Sequence, residues 1–202
     1  MKLYYSPGAC SLAPHIVLHE TGLPYTPVLA STKTHQLADG TDYYTINPLG
    51  YVPLLELDDG ERMTEVAAIV QYLADQVPAK QLAPAAGTMA RYRLIEWLSI
   101  VSSEFHRQYS PLFNKEMPEE AKVFFRKKLN GRYAWLDSQL AGKPFLMGET
   151  FTVADAYLFT LLNWCAFTGI DLGRWPALKE YAGRVAARPK VQEALKAEGL
   201  VK

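Results

Sequence analysis

Hydrophobic positions change their spacing part-way along the chain. Up to about residue 78, short runs of strand character alternate with helical patterns. Lys2–Tyr5 reads as a strand, Leu12, His15, Ile16 and His19 recur at helical spacing until Gly22, and Thr26–Leu29 reads as a second strand. A polar helical stretch is expected next, then a third strand over Val52–Leu57. Asp58-Asp59-Gly60 predicts a tight hairpin into Glu61-Arg62-Met63, so the last two strands should be antiparallel. A helix with Ile69, Val70, Tyr72 and Leu73 on its apolar side follows and ends at Pro78. This βαβ beginning with a terminal hairpin implies a mixed, four-stranded sheet.

Residues 79–87 collect prolines and small residues and read as an interdomain linker. Beyond them the strand period disappears. Met89–Phe113 runs helically, a second helix spans Pro118 to about Leu140, and others begin near Thr152, Pro176 and Pro189. Phe151-Thr152-Val153-Ala154-Asp155 has the form of a helix start, with Thr152 as cap, Asp155 bonding back and Phe151 as staple. The expected organisation is therefore α/β plus all-α, with an α/β domain over residues 1–78, a linker over 79–87 and an all-helical domain over 88–202.

Composition narrows the class of function. With 202 residues, 49% of them hydrophobic, the chain can bury one large core or two small ones. Its 21 basic and 21 acidic residues cancel, so no global field favours nucleic acid or an anionic membrane. No run approaches the ~18 apolar residues of a membrane span, and Met1-Lys2-Leu3 opens straight into a strand, so a cytoplasmic protein is expected. The two cysteines form no disulfide framework, and the four histidines lack metal-ligand spacing, so no metal is expected. Cys165, among Leu161, Leu162, Trp164 and Phe167, reads as packing.

Cys10 is the first candidate for chemistry. It lies in Ser6-Pro7-Gly8-Ala9-Cys10-Ser11, between a strand and a helix that Pro14 prevents from starting before about residue 11. A thiol at a helix start can ionise with a pKa of roughly 3.5–7.5, against about 8.5 free. The competing reading is a small buried hydrophobe. In the Met89–Phe113 helix, Leu94, Trp97, Leu98, Val101, Phe105 and Leu112 form a core stripe, while Ser99, Ser103, His106 and Ser110 align on the other side. That polar stripe either faces water or lines a cleft in which His106 serves the thiol as proton donor or acceptor. Val52-Pro53 precedes an apolar strand; cis bonds occur in only about 5–6% of X–Pro pairs. If this one is cis, the Val52 backbone can face a peptide-like ligand. At Thr64-Glu65-Val66 the free N–H groups of a helix start suit a carboxylate and Glu65 suits an ammonium, together an amino-acid head group. Glu65 reads equally well as an ordinary first-turn acid.

These segments, with Asn47-Pro48-Leu49-Gly50-Tyr51-Val52-Pro53, Ile69–Asp75, Ser103-Glu104-Phe105-His106 and Phe151–Phe159, resemble the bacterial beta-class glutathione transferases over nearly the whole chain. The resemblance implies a thioredoxin-like N-terminal domain, a cis Val52-Pro53 bond, a helical bundle and a homodimer, with glutathione as co-substrate and no cofactor. It places Cys10 and His106 beside the glutathione sulfur with Ser11 as an auxiliary donor. Val52 binds the cysteinyl backbone, and Glu65 with the Val66 N–H holds the γ-glutamyl end. Ser99, Ser103 and Glu104 contribute from the helical side or from a partner subunit. Three positions depart from the family pattern: His35 stands where lysine is common, Ser99 where asparagine is common, and Val66 where a small residue is usual. Lys33 can substitute for the missing cation at His35.

The expected activity is conjugation of the glutathione thiolate to small hydrophobic electrophiles, with thiol–disulfide exchange through Cys10 as an added possibility. A glutaredoxin-like reductase and a non-enzymatic ligand-binding or regulatory protein on the same fold are the alternatives.

Overall fold

The computed structural model describes residues 1–202, which divide into two compact units: Met1–Lys80 with Arg188–Lys202, and Gln81–Ala187. The first unit opens with β1 (Lys2–Tyr5), α1 (Leu12–Thr21), β2 (Thr26–Leu29), β3 (Leu54–Glu56), β4 (Arg62–Thr64) and α2 (Val66–Asp75). Its strands form one four-stranded sheet in the order β2-β1-β3-β4. β1 is parallel to β2 and antiparallel to β3, and β3 is antiparallel to β4, so the sheet is mixed as expected. β3 begins two residues later than the pattern suggests, since Pro53 has no N–H to give to a ladder.

The helix expected between β2 and β3 does not form. That segment holds a single 3-10 turn at Tyr43–Thr45. Its short polar side chains compete for the backbone: Ser31 Oγ accepts from the N–H groups of Lys33 and Thr34, and Asp39 and Asp42 accept from those of Thr41 and Tyr44.

In the second unit α3 (Met89–Ile100) passes through a π-helical stretch, Val101–His106, into α4 (Arg107–Phe113). α5 (Glu119–Leu140), α6 (Val153–Leu162), α7 (Cys165–Thr168) and α8 (Pro176–Ala186) follow. Every residue of α6 is buried, which makes it the central helix of this unit. Asp155 secures its start by accepting from the Thr152 N–H at 2.8 Å, the Leu146 N–H at 2.9 Å and the Tyr181 hydroxyl at 3.0 Å. The Thr152 hydroxyl also donates to Asp155, at 3.0 Å, and the reciprocal capping box of Thr152 and Asp155 is present as expected. Leu82 is buried and its carbonyl accepts from the Val153 N–H, so the second half of the expected linker already belongs to the helical unit.

The expected assignment of 88–202 to the helical domain needs correction at its end. α9 (Pro189–Ala197) and its flanks belong with the first unit, packed along α1. Arg188 grips Glu20 with two donors at 2.8 and 3.1 Å, His19 Nδ1 lies 3.3 Å from Glu193, and His15 Nδ1 lies 2.8 Å from Glu198. An amphipathic helix can dock on either unit, and the polar partners on α1 decide which. No helix in the protein is long and apolar enough to cross a membrane.

Asp155 gives a direct test of what holds the helical unit. Asp155→Ala strands four donors in a dry interior, so urea unfolding should show a loss of about 3 kcal/mol or more.

Candidate active site

Cys10 stands one residue before Ser11, the N-cap of α1, as the position of Pro14 requires. Gly8, at φ 71°, turns the chain out of β1, and the Ala9 N–H closes that turn on the Ser6 carbonyl at 3.0 Å. Ser11 is fully buried; its hydroxyl donates to the Ser6 carbonyl at 3.2 Å and accepts from the Ser6 N–H at 3.1 Å. In this arrangement the Ser11 proton serves the shape of the turn.

The Cys10 thiol donates to the Val52 carbonyl at 3.1 Å. Burial pushes it up to about 12; the Glu65 carboxylate pushes the same way, while the Cys10 and Ser11 N–H groups oppose. The low pKa expected from a helix start is overturned, because desolvation outweighs the helix-end N–H groups and a carbonyl partner holds the proton on sulfur.

Val52 is fixed from both sides. Its side chain packs with Tyr4, Ala30, Tyr43 and Leu54. The preceding carbonyl, of Tyr51, accepts from the Tyr43 hydroxyl at 3.0 Å and from Asn47 Nδ2 at 2.7 Å. The Val52–Pro53 bond is cis. His35, at φ 51°, donates from Nδ1 to the Gly50 carbonyl at 3.2 Å and stacks on Tyr44 with centroids 4.6 Å apart. It braces the loop ahead of Val52, while Lys33 stays exposed. A Cβ at Gly50, itself at φ 69°, would come within 2.5 Å of the Tyr44 ring, so only glycine fits there.

Glu65 occupies φ 68° at the N-cap of α2, and its side chain makes no capping bond. A non-glycine residue in the left-handed region costs on the order of 1–2 kcal/mol, and such strain clusters at ligand sites. Glu65 is exposed, beside the buried Val66, whose N–H lies in the first turn of α2. Cys10, Val52, Glu65 and Val66 thus share one region of the first unit, with His35 behind it.

On the helical unit, Ser99 and Ser103 are exposed, but their hydroxyls donate back to the carbonyls of Ile95 and Ser99 at 2.8 and 2.9 Å. Glu104 accepts from Arg132 Nε at 2.7 Å. His106 breaks the polar stripe. The π-helical stretch alters the angular step after Val101, and the ring lies half-buried with Nδ1 2.6 Å from the Tyr157 hydroxyl and its centroid 5.2 Å from that of Trp164. Burial lowers its pKa to about 4, so the ring is neutral at physiological pH. Tyr109 and Phe113 extend this aromatic wall, both in ring contact with Trp164. Cys165 is buried, 3.1 Å from the Tyr109 hydroxyl, as its packing role predicts. Periodicity gave no sign of the π stretch or of the Tyr157 contact. No group of three or more His, Cys, Asp or Glu side chains is placed to hold a metal ion.

Family profiles described as Glutathione S-transferase, N-terminal domain, and Glutathione S-transferase, C-terminal domain, match residues 8–76 and 103–198. The chain belongs to the glutathione S-transferase family. It is 44% identical over 200 residues to glutathione S-transferase GstA of Escherichia coli O157:H7, covering 99% of this chain and 100% of that one. Among solved structures, a ternary complex of BphK, a bacterial transferase, superimposes with a TM-score of 0.97 at 53% identity, covering 98% and 100% of the two chains. A beta-class transferase of Sphingomonas chungbukensis matches with a TM-score of 0.96 at 49% identity over the full length of both. A sphingomonad transferase complexed with glutathione has the same score, identity and coverage. With these matches the beta-class resemblance and the thioredoxin-like first domain stand.

Two titrations check the electrostatics. Iodoacetamide should alkylate Cys10 of the unliganded transferase slowly at pH 7, with a rate still climbing at pH 9; a plateau near pH 7 would mean a thiolate. For His106, the unfolded chain takes up a proton near 6.5 and the native ring only near 4. Stability should therefore fall on acidification between those values, and His106→Gln should lose less over the same interval.

Proposed function

We propose that this transferase binds glutathione on its first unit and directs the glutathione thiolate at a small hydrophobic electrophile. The observation that carries the reading is the Cys10 thiol resting on the Val52 carbonyl. A cysteinyl backbone pairing with Val52 takes that carbonyl for its own N–H, which frees the Cys10 S–H to turn to the glutathione sulfur. A protonated Cys10 is suited to that role: it donates a hydrogen bond to the developing thiolate rather than competing as a second anion. Glu65 receives the γ-glutamyl ammonium and the Val66 N–H its carboxylate. His35, with Lys33 close in sequence, meets the glycyl end.

His106 acts on the same sulfur. With the Tyr157 hydroxyl donating to Nδ1, the proton of the neutral ring sits on Nε2 and forms a second donor. Bound glutathione releases its thiol proton to solvent, the thiolate forms the new C–S bond, and the leaving group departs with its electron pair. No metal or organic cofactor enters these steps. Phe113 and Trp164 offer the electrophile an aromatic surface. Ser99, Ser103 and Glu104 complete the site from the helical side or from the second subunit of a homodimer. The proposed setting is the cytoplasm, where glutathione and free thiols coexist.

A glutaredoxin-like reductase is less well supported. Disulfide exchange is driven by a thiolate, and the half-buried Cys10, its thiol held on a carbonyl, is in the wrong protonation state for it.

Calorimetry should show glutathione binding at or below millimolar concentration, and conjugation of a chlorinated dinitrobenzene should exceed reduction of a mixed disulfide. No binding at millimolar glutathione would remove the transferase reading. Cys10→Ala should abolish any mixed disulfide with glutathione yet keep part of the conjugation rate. His106→Ala should lower kcat by on the order of 10²-fold with little change in melting temperature, and Tyr157→Phe should lower it less.

A further inference from the structure

One side chain from the C-terminal segment reaches the thiol-bearing turn. Glu198, its side chain fully buried, accepts from the Gly8 N–H through Oε2 and from His15 Nδ1 through Oε1, both at 2.8 Å. His15 is equally enclosed, and its Nε2 has no partner. With Nδ1–H donating to Glu198, Nε2 is left as a bare lone pair, a cheaper orphan than a buried N–H. Leu200 Cδ2 lies 3.5 Å from where a Gly8 side chain would begin. This is an expensive way to end a helix, since a buried carboxylate loses its hydration. What it secures is the Gly8 N–H, which belongs to no strand or helix and lies two residues before Cys10.

We propose that Glu198 is a positioning residue for the Cys10 turn: by fixing Gly8 from one oxygen and His15 of α1 from the other, it sets the thiol against the Val52 backbone edge and preforms the glutathione site. This rests on reading that edge as the glutathione site. The effect is geometric, because the carboxylate whose charge reaches the thiol is Glu65. Geometry also explains the two-sided grip: Gly8 and His15 bracket Cys10 in the chain, so holding both leaves the intervening turn one arrangement.

The test uses the full chain with Glu198→Ala and Glu198→Gln, at a temperature where circular dichroism shows both folded. Glu198→Ala should raise KM for glutathione on the order of tenfold, with a smaller change in kcat. Without glutathione, Cys10 should be alkylated faster, followed by mass spectrometry of its peptide. Glu198→Gln keeps a carbonyl for Gly8, but its amide N–H turns His15 to the tautomer with the proton on the unpartnered Nε2, so both changes should be smaller than in Glu198→Ala without reaching the parent. If Glu198→Ala unfolds, Glu198→Asp, which keeps the charge but shortens the reach, should give the same two changes. Folded Glu198→Ala with parental KM and alkylation rate overturns the proposal, as does Glu198→Gln as impaired as Glu198→Ala. Alkylation needs no glutathione, so a parent that fails to bind glutathione while Glu198→Ala still alters alkylation would refute the glutathione reading and leave the positioning role standing.

Discussion

α1 is buried from Leu12 to Leu18, and the half-buried turn that feeds it draws its polar partners from the protein. Those partners come from three places in the chain. Ser11 turns its hydroxyl back on Ser6, Val52 lends its carbonyl to Cys10, and Glu198 reaches Gly8 from the C-terminal end. The arrangement ties a short turn to a distant loop and to the last helix. It also explains why residues 188–202 belong to the first unit: the covering of α1 would be incomplete without α9, which meets it through Glu20, His19 and His15.

Desolvation by burial sets the charge states of the two candidate groups. Desolvation keeps the proton on Cys10 and off His106, so both enter as neutral hydrogen-bond donors or acceptors. The negative charge of the proposed reaction then sits on the ligand sulfur, where neutral donors can stabilise it without a competing anion. Strain is concentrated in the same unit. Glu65 and His35 both hold left-handed backbone, the first aiming an uncommitted carboxylate outward and the second bracing Gly50 ahead of Val52. Both resemble ligand residues in the sequence; Glu65 leaves its carboxylate uncommitted, while His35 spends Nδ1 on the Gly50 carbonyl and keeps Nε2.

Local signals accounted for much of the fold and part of the candidate site. The hairpin at Asp58-Asp59-Gly60, the helix starts at Thr152, Pro176 and Pro189 and the stop at Gly22 appear as read, because turn residues, prolines and caps act within a few positions of themselves. The polar stretch before Val52 carries a helical pattern but forms turns for a related reason: its Ser and Asp side chains can serve a helix cap or a turn, and their own backbone bonds favour the turn. Cys10, Val52 and Glu65 were recognisable as candidates from their local settings. The inward turn of His106 was not, since a π-helical stretch shifts the phase of every later residue without a residue type to announce it.

By itself the sequence determined the mixed sheet, the helical second half and the place of Cys10 just before a helix start, since each follows from spacing and turn chemistry along neighbouring residues. Only the tertiary structure decided the protonation of Cys10 and His106, the use of Ser11 and His35 as braces, and the return of Glu198 to Gly8. Those properties depend on which groups lie alongside in space and how much water they exclude, and neither is written in the order of neighbours along a chain.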